Sequence, residues 1–125
     1  MGRPDLAYEN WLKSIDIDFG LRPRASEGIH FANVGGMWQE VVHGFGGLVN
    51  ALSTETLTFK PCIPEQITDI SFQIIWKGQK VAVTVNKDTI KVNNLSGKDV
   101  AIKVYDNNVT VNAWKEEKIK YQDRV

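Results

Sequence analysis

One cysteine, Cys62, is all the thiol chemistry this chain of 125 residues has. An internal disulfide is thereby excluded, and a lone cysteine in such a chain reads as a packed spectator thiol. Long hydrophobic runs are missing as well. No stretch approaches the roughly 18 apolar residues that a membrane-spanning helix requires. The first residues lack a basic segment followed by an apolar one, so no secretory signal is read and a cytoplasmic location is expected. Nor is there an excess of charge of either sign: 15 basic residues balance 15 acidic ones. That balance removes the electrostatic footprint expected of a nucleic-acid or anionic-membrane partner. Phosphate-cradling, nucleophile-elbow, zinc and dinucleotide patterns are absent too. The two histidines, His30 and His43, match no metal-ligand spacing on a helix, so no metal site is expected. Asn94-Leu95-Ser96 and Asn108-Val109-Thr110 fit the glycosylation acceptor pattern, but in turn-like surroundings with no signal peptide they read as chance.

What the chain does have is concentrated glycine. The stretch Glu27 to Gly47 holds six of the ten glycines, both histidines and one of the four tryptophans. Ile29, Ala32, Gly35/Gly36, Trp38, Val41 and Val42 recur at helical steps, with Phe31 and Val34 on another side. A helix apolar around so much of its circumference expects enclosure by neighbours. Gly35 and Gly36 fall inside it, where each costs about 1 kcal/mol relative to alanine, so a close backbone approach is expected there. Gly44, Gly46 and Gly47 are expected to end it. His30, Asn33 and Glu40 share one polar stripe of about 80° and need partners in protein, water or ligand.

Pro4 to Ile15 predicts a first helix, with Pro4 at its start, Asp5 against its dipole and Leu6 or Ala7, Trp11 and Ile15 as its apolar stripe. The chain enters this helix almost at its first residue, which suits a segment cut from something longer. Residues 16 to 26 read as a connector punctuated by Gly20 and Pro23, with Ser26 or its loop capping the next helix. Arg22, Arg24 and that helix N-terminus form either an anion site or simply a solvated basic loop.

From Leu48 the period changes from helical to alternating. Strands are predicted at 56–59, 70–76, 80–85, 89–92, 100–105, 109–114 and, as a charged edge, 115–121. Lys77-Gly78, Leu95-Ser96-Gly97 and Asp106-Asn107 supply turns, and Pro61 and Pro64 break the first strand. Short alternating strands indicate an antiparallel sandwich or barrel. Trp76 and Trp114 read as core or strand-edge packing, with sugar stacking as the alternative.

Glu27-Gly28-Ile29-His30, Gly35-Gly36-x-Trp38 and Gly44-Phe45-Gly46-Gly47-Leu48 together resemble the end of the catalytic domain in glycoside hydrolase family 65, the family of maltose, trehalose and kojibiose phosphorylases. The resemblance continues through Leu57-Thr58-Phe59-Lys60-Pro61-Cys62-Ile63-Pro64 and the segment Phe72 to Val83, and fades after about residue 95. It implies an α+β chain: two helices from the end of an (α/α)6 barrel, residues 1–52, then a small C-terminal antiparallel β-sandwich, residues 53–125. It implies inverting cleavage of an α-glucosidic disaccharide by phosphate. His30 would face the bound phosphate, with Ser26 as a lesser donor. The family's general-acid glutamate lies on a segment absent here, so no catalytic residue is assigned and the chain alone is expected to be inactive. Glu27 and Glu40 are not candidates for that acid, and His43 receives no role. No cofactor is implied; inorganic phosphate is the co-substrate of the full-length family. The implied partners are the missing barrel portion, or a second copy through the exposed helices, and a disaccharide. A free-standing, non-catalytic sandwich serving as a binding or interaction module is the competing reading.

Overall fold

The computed structural model describes residues 3–19, 31–50 and 55–122. Helix α1 spans Pro4–Phe19. Arg3 pairs with Asp5 at 3.2 Å, and that hydrogen bond holds the Asp5 carboxyl below its usual range. The connector expected from residue 16 is helical for another turn, because no breaker occurs before Gly20. The packed face of α1 carries Tyr8 and Trp11, which lie against the core, whereas Leu6 is 44% exposed.

Helix α2 spans Phe31–Gln39 and continues as a π-helical turn, Glu40–Phe45. In that turn the Gly46 N–H reaches back to Val41 O at 2.8 Å, five residues earlier. The widened turn sends Val42 and Phe45 into the core. The Asn33 amide donates to Ser14 O at 2.8 Å, and the Trp11 and Phe45 rings meet edge to face at 5.9 Å. These contacts tie the two helices together.

The glycines divide differently from expectation. A Cβ built on Gly35, Gly36 or Gly44 meets nothing within 4 Å, so among the described residues no backbone approaches them. The close approaches are at Gly46 and Gly47. A Cβ on Gly46 would stand 2.7 Å from the Phe72 ring, and one on Gly47 would stand 2.1 Å from the Lys60 carbonyl. Gly47 also has φ +70°, which an L side chain rarely adopts. Here the chain leaves the helices and joins the sheet.

Among the described residues eight strands follow: β1 Leu48–Asn50, β2 Leu57–Phe59, β3 Asp69–Trp76, β4 Gln79–Asn86, β5 Thr89–Asn94, β6 Val100–Val104, β7 Asn107–Val111 and β8 Glu116–Lys120. They form two four-stranded sheets, ordered β1-β2-β6-β7 and β3-β4-β5-β8. Strand β1 was not expected from the sequence. The sandwich is also not wholly antiparallel: β2 runs parallel to β6, with Leu57 opposite Ile102 and Phe59 opposite Val104. The reason is topological, since all of β3, β4 and β5 intervenes between them.

Turn chemistry fixes the registers. Lys77 and Gly78, at φ +48° and +76°, close the β3–β4 hairpin and place Trp76 opposite Gln79. The β6–β7 turn is Tyr105-Asp106, one residue earlier than expected, with Tyr105 at φ +52°. Between the sheets, Val81, Val83, Val85, Ile90 and Val92 face Leu57, Phe59, Val100, Ile102, Val104 and Val111, all essentially sealed from solvent. Each such side chain contributes about 1.5–3 kcal/mol by leaving water. Val42, Phe45 and Leu48 belong to the same cluster, so the helical segment is anchored in the sandwich core.

Candidate functional site

Two regions carry features beyond packing. The first is the helical segment. Trp11, Ile15, Phe19, Met37, Trp38 and Val41 line an apolar groove of about 450 Å³ between α1 and α2. Its rim is open, with Phe19 59% and Trp38 52% exposed. A helix expected to be enclosed thus shows an apolar face to solvent within this chain. The Trp11 ring nitrogen is buried and has no hydrogen-bond partner among the described residues.

The π-helical turn positions His43 beside this groove. Its ring stands edge-on to Trp38 at 6.2 Å, and its Nδ1 lies 2.8 Å from Leu48 O. A carbonyl can only accept, so Nδ1 donates in this contact. His43 was given no role from sequence. The signal that marks it, a π-bulge of the kind often found at functional sites, depends on backbone hydrogen bonding that no residue pattern reveals.

Of the polar stripe His30, Asn33 and Glu40, the structure places two members. Asn33 is satisfied by the α1 backbone and Glu40 is exposed. The two phosphate-site candidates, His30 and Ser26, lie outside the described residues, as do Arg22, Arg24 and Glu27.

The second region is the end of the sandwich where the β6–β7 turn meets the chain leaving β8. The Tyr105 and Tyr121 rings pack at 5.7 Å with a 40° tilt. The Tyr105 hydroxyl donates to Pro61 O, and the Tyr121 hydroxyl donates to Asn86 O. Around the rings lies a depression of about 430 Å³ with Asp88, Asp106, Asn107 and Lys120 at its walls. Sequence reading gave Asp106 and Asn107 only as a turn, because the strands that bring Tyr121 and Asp88 to them are distant in the chain.

The two tryptophans of the sheets part company. Trp76 is buried, with the Lys77 ammonium 5.0 Å from its ring centroid. Trp114 is 69% exposed, on a turn at φ +60°, and does not pack in the core. Cys62 is half-buried, and its N–H donates to Phe45 O at 2.9 Å. Among the described residues no group of three or more His, Cys, Asp or Glu side chains is placed to hold a metal ion.

A two-sheet sandwich with a pair of helices rooted in its core, one apolar face of them open, defines the class: a small β-rich domain carrying a helical extension. Comparison with known proteins gives the family. Residues 52–111 match the family profile described as glycosyl hydrolase family 65, C-terminal domain. A kojibiose phosphorylase of Caldanaerobacter subterraneus subsp. tengcongensis is 41% identical over 101 residues, covering 78% of this chain and 13% of the relative. An alpha,alpha-trehalose phosphorylase of Geobacillus stearothermophilus is 34% identical over 106 residues, covering 84% of this chain and 14% of the relative. A solved structure assigned as a kojibiose phosphorylase from human microbiome superposes with TM-score 0.82 at 23% identity, over 96% of this chain and 16% of that one. The chain belongs to glycosyl hydrolase family 65, through its C-terminal domain. It spans only 13–14% of the length of those two relatives. No described helix is long and apolar enough to cross a membrane.

Proposed function

We propose that the chain is the C-terminal part of a disaccharide phosphorylase, in which residues 1–52 complete the last helices of an (α/α)6 catalytic barrel and residues 53–125 form the sandwich behind it. The observation that carries this reading is the open apolar groove between α1 and α2, set on a sandwich whose own core is sealed. In the whole enzyme, the remaining barrel helices would cover Phe19, Met37 and Trp38. Enclosure there would also give Gly35 and Gly36 the close neighbours that the described residues do not provide.

The reaction proposed for that assembly is inverting phosphorolysis of an α-glucosidic disaccharide. A carboxylic acid on the barrel protonates the glycosidic oxygen while inorganic phosphate attacks the anomeric carbon from the opposite face. His30, which precedes α2 in the sequence, would donate to the phosphate, with Ser26 as a second donor. This chain would supply neither the acid nor the sugar-selecting residues. Phosphate is then a co-substrate, no further cofactor is needed, and the location is the cytoplasm.

The test is an assay of phosphate-dependent cleavage of kojibiose, trehalose and maltose by the 125 residues alone and mixed with the barrel segment of a relative. Activity is expected only from the mixture and should be lost on His30→Ala. Cleavage by the chain alone, or full phosphorolysis by the His30→Ala mixture, would refute the assignment.

A further inference from the structure

The depression at the Tyr105 end of the sandwich is not used by the phosphorylase reading, and its chemistry is specific. We propose that it is a binding subsite for a neutral pyranose sugar, separate from any catalytic centre. The proposal stands whether or not the chain completes a phosphorylase.

Shape comes first. At about 430 Å³ the depression falls within the usual size range of small-molecule sites. The lining then restricts the ligand. Asp88 and Asp106 offer acceptors, Lys120 offers donors and the Asn107 amide offers both. Carboxylates beside the ammonium of the described lining disfavour phosphate, which binds where cations or helix amides are in excess. A divalent cation is disfavoured too, because it needs six or more oxygens around one point and no metal-holding cluster occurs among the described residues. A sugar, uncharged and ringed by hydroxyls that both donate and accept, matches such a mixed wall.

The tyrosines supply the remaining element. The Tyr105 ring is half-buried and packs at a tilt against the buried Tyr121 ring, giving an angled aromatic wall beside the polar groups. Aromatic faces next to hydrogen-bonding groups suit a ligand that is apolar on its ring faces and polar at its edges.

Preorganisation is the second independent observation. Tyr105 sits at φ +52°, a left-handed conformation uncommon for a bulky side chain. It is held there from both ends, with its N–H donating to Phe59 O at 3.0 Å and its hydroxyl donating to Pro61 O. Tyr121 is fixed in the same manner, its N–H donating to Asp88 O at 2.9 Å and its hydroxyl donating to Asn86 O. Ligand binding would therefore cost little ordering of the wall.

The full chain, labelled with 15N, is titrated with glucose, maltose, trehalose and kojibiose to on the order of 10 mM or more, the weak-affinity range expected of one shallow site. Saturable shifts confined to the amides of Tyr105, Asp106, Asn107, Lys120 and Tyr121 are expected. Joint Asn107→Ala and Lys120→Ala substitution should weaken binding at least tenfold without moving the thermal midpoint, since both side chains are exposed. Tyr105→Phe, which keeps the ring, should retain binding, and Tyr105→Ala should remove it. Should Tyr105→Ala fail to fold, the Asn107/Lys120 variant decides alone. Absence of saturable shifts, shifts centred on the helices, or shifts produced by inorganic phosphate instead of sugar would overturn the proposal.

Discussion

The Asn94 side-chain amide on β5 donates to the main-chain oxygen of Val111, at the end of β7, across 3.1 Å. The two strands belong to different sheets, so one side chain fastens one sheet to the other. The same amide reaches Lys98 O at 2.7 Å, and its oxygen accepts from the Ser96 N–H at 3.1 Å. Asn94 has no solvent exposure, yet each of its polar ends is satisfied. Asn94→Ala would strand buried carbonyls and is expected to cost on the order of 3 kcal/mol, readable as a lower denaturant midpoint. Asn94→Asp keeps the shape but points a carboxylate at carbonyl oxygens. That variant should be less destabilised at acid pH, where the carboxyl regains a proton to donate.

Gly47 and Gly35 make opposite forecasts for the same substitution. Gly47→Ala meets the Lys60 carbonyl and a left-handed backbone at once, so it is expected to unfold the helix–sheet junction or cost more than about 4 kcal/mol. Gly35→Ala meets nothing among the described residues and should stabilise the chain by up to about 1 kcal/mol in a thermal or denaturant melt. Against a barrel partner the sign should reverse, because the methyl would then intrude on a packed neighbour. Comparing the isolated and reconstituted Gly35→Ala proteins separates the two environments.

Trp38 tests the groove. It is half-exposed and touches His43 edge-on, so Trp38→Ser should shift stability by no more than about 0.5 kcal/mol. Binding of a hydrophobic dye and any self-association in sedimentation should fall at the same time. A large loss of stability with unchanged dye binding would mean that the groove is already filled.

Trp114 reports on backbone strain. Its indole is mostly in solvent and its φ is +60°. Trp114→Gly should therefore raise stability by about 1 kcal/mol, since glycine takes that conformation without a steric penalty. A drop of that size in the melt would instead assign the ring a packing role on the turn around Gly97.

The sandwich was legible because β4 and β6 alternate strictly: Val81, Val83 and Val85, then Val100, Ile102 and Val104, point inward. Ile75 broke the alternation in the sequence, and it is in fact an apolar residue facing out, 69% exposed. Strand β1 and the parallel β2–β6 pairing were not legible. Both are short and set by contacts remote in sequence, which no local period encodes. The helical period between Ile29 and Val42 gave the α2 region but not the switch to π-type bonding, which keeps the same residues and changes only their backbone partners. The families of glycines looked alike in the sequence. Only the packing of Phe72 and Lys60 distinguishes Gly46 and Gly47 from Gly35 and Gly36. The Tyr105 depression was invisible for a related reason, since its walls come from two turns and the end of β8, which the sheets bring together.

The parallel seam between β2 and β6 has a bearing on biosynthesis. Phe59 leaves the ribosome long before Val104, the residue it pairs beside, and three of the four strands of the second sheet, β3, β4 and β5, are made in between. Val42 and Phe45 belong to the same hydrophobic core, which is incomplete until β6 arrives. A nascent chain stalled before Val100 would thus hold its helices and an unclosed hydrophobic hollow together, the state most in need of a chaperone.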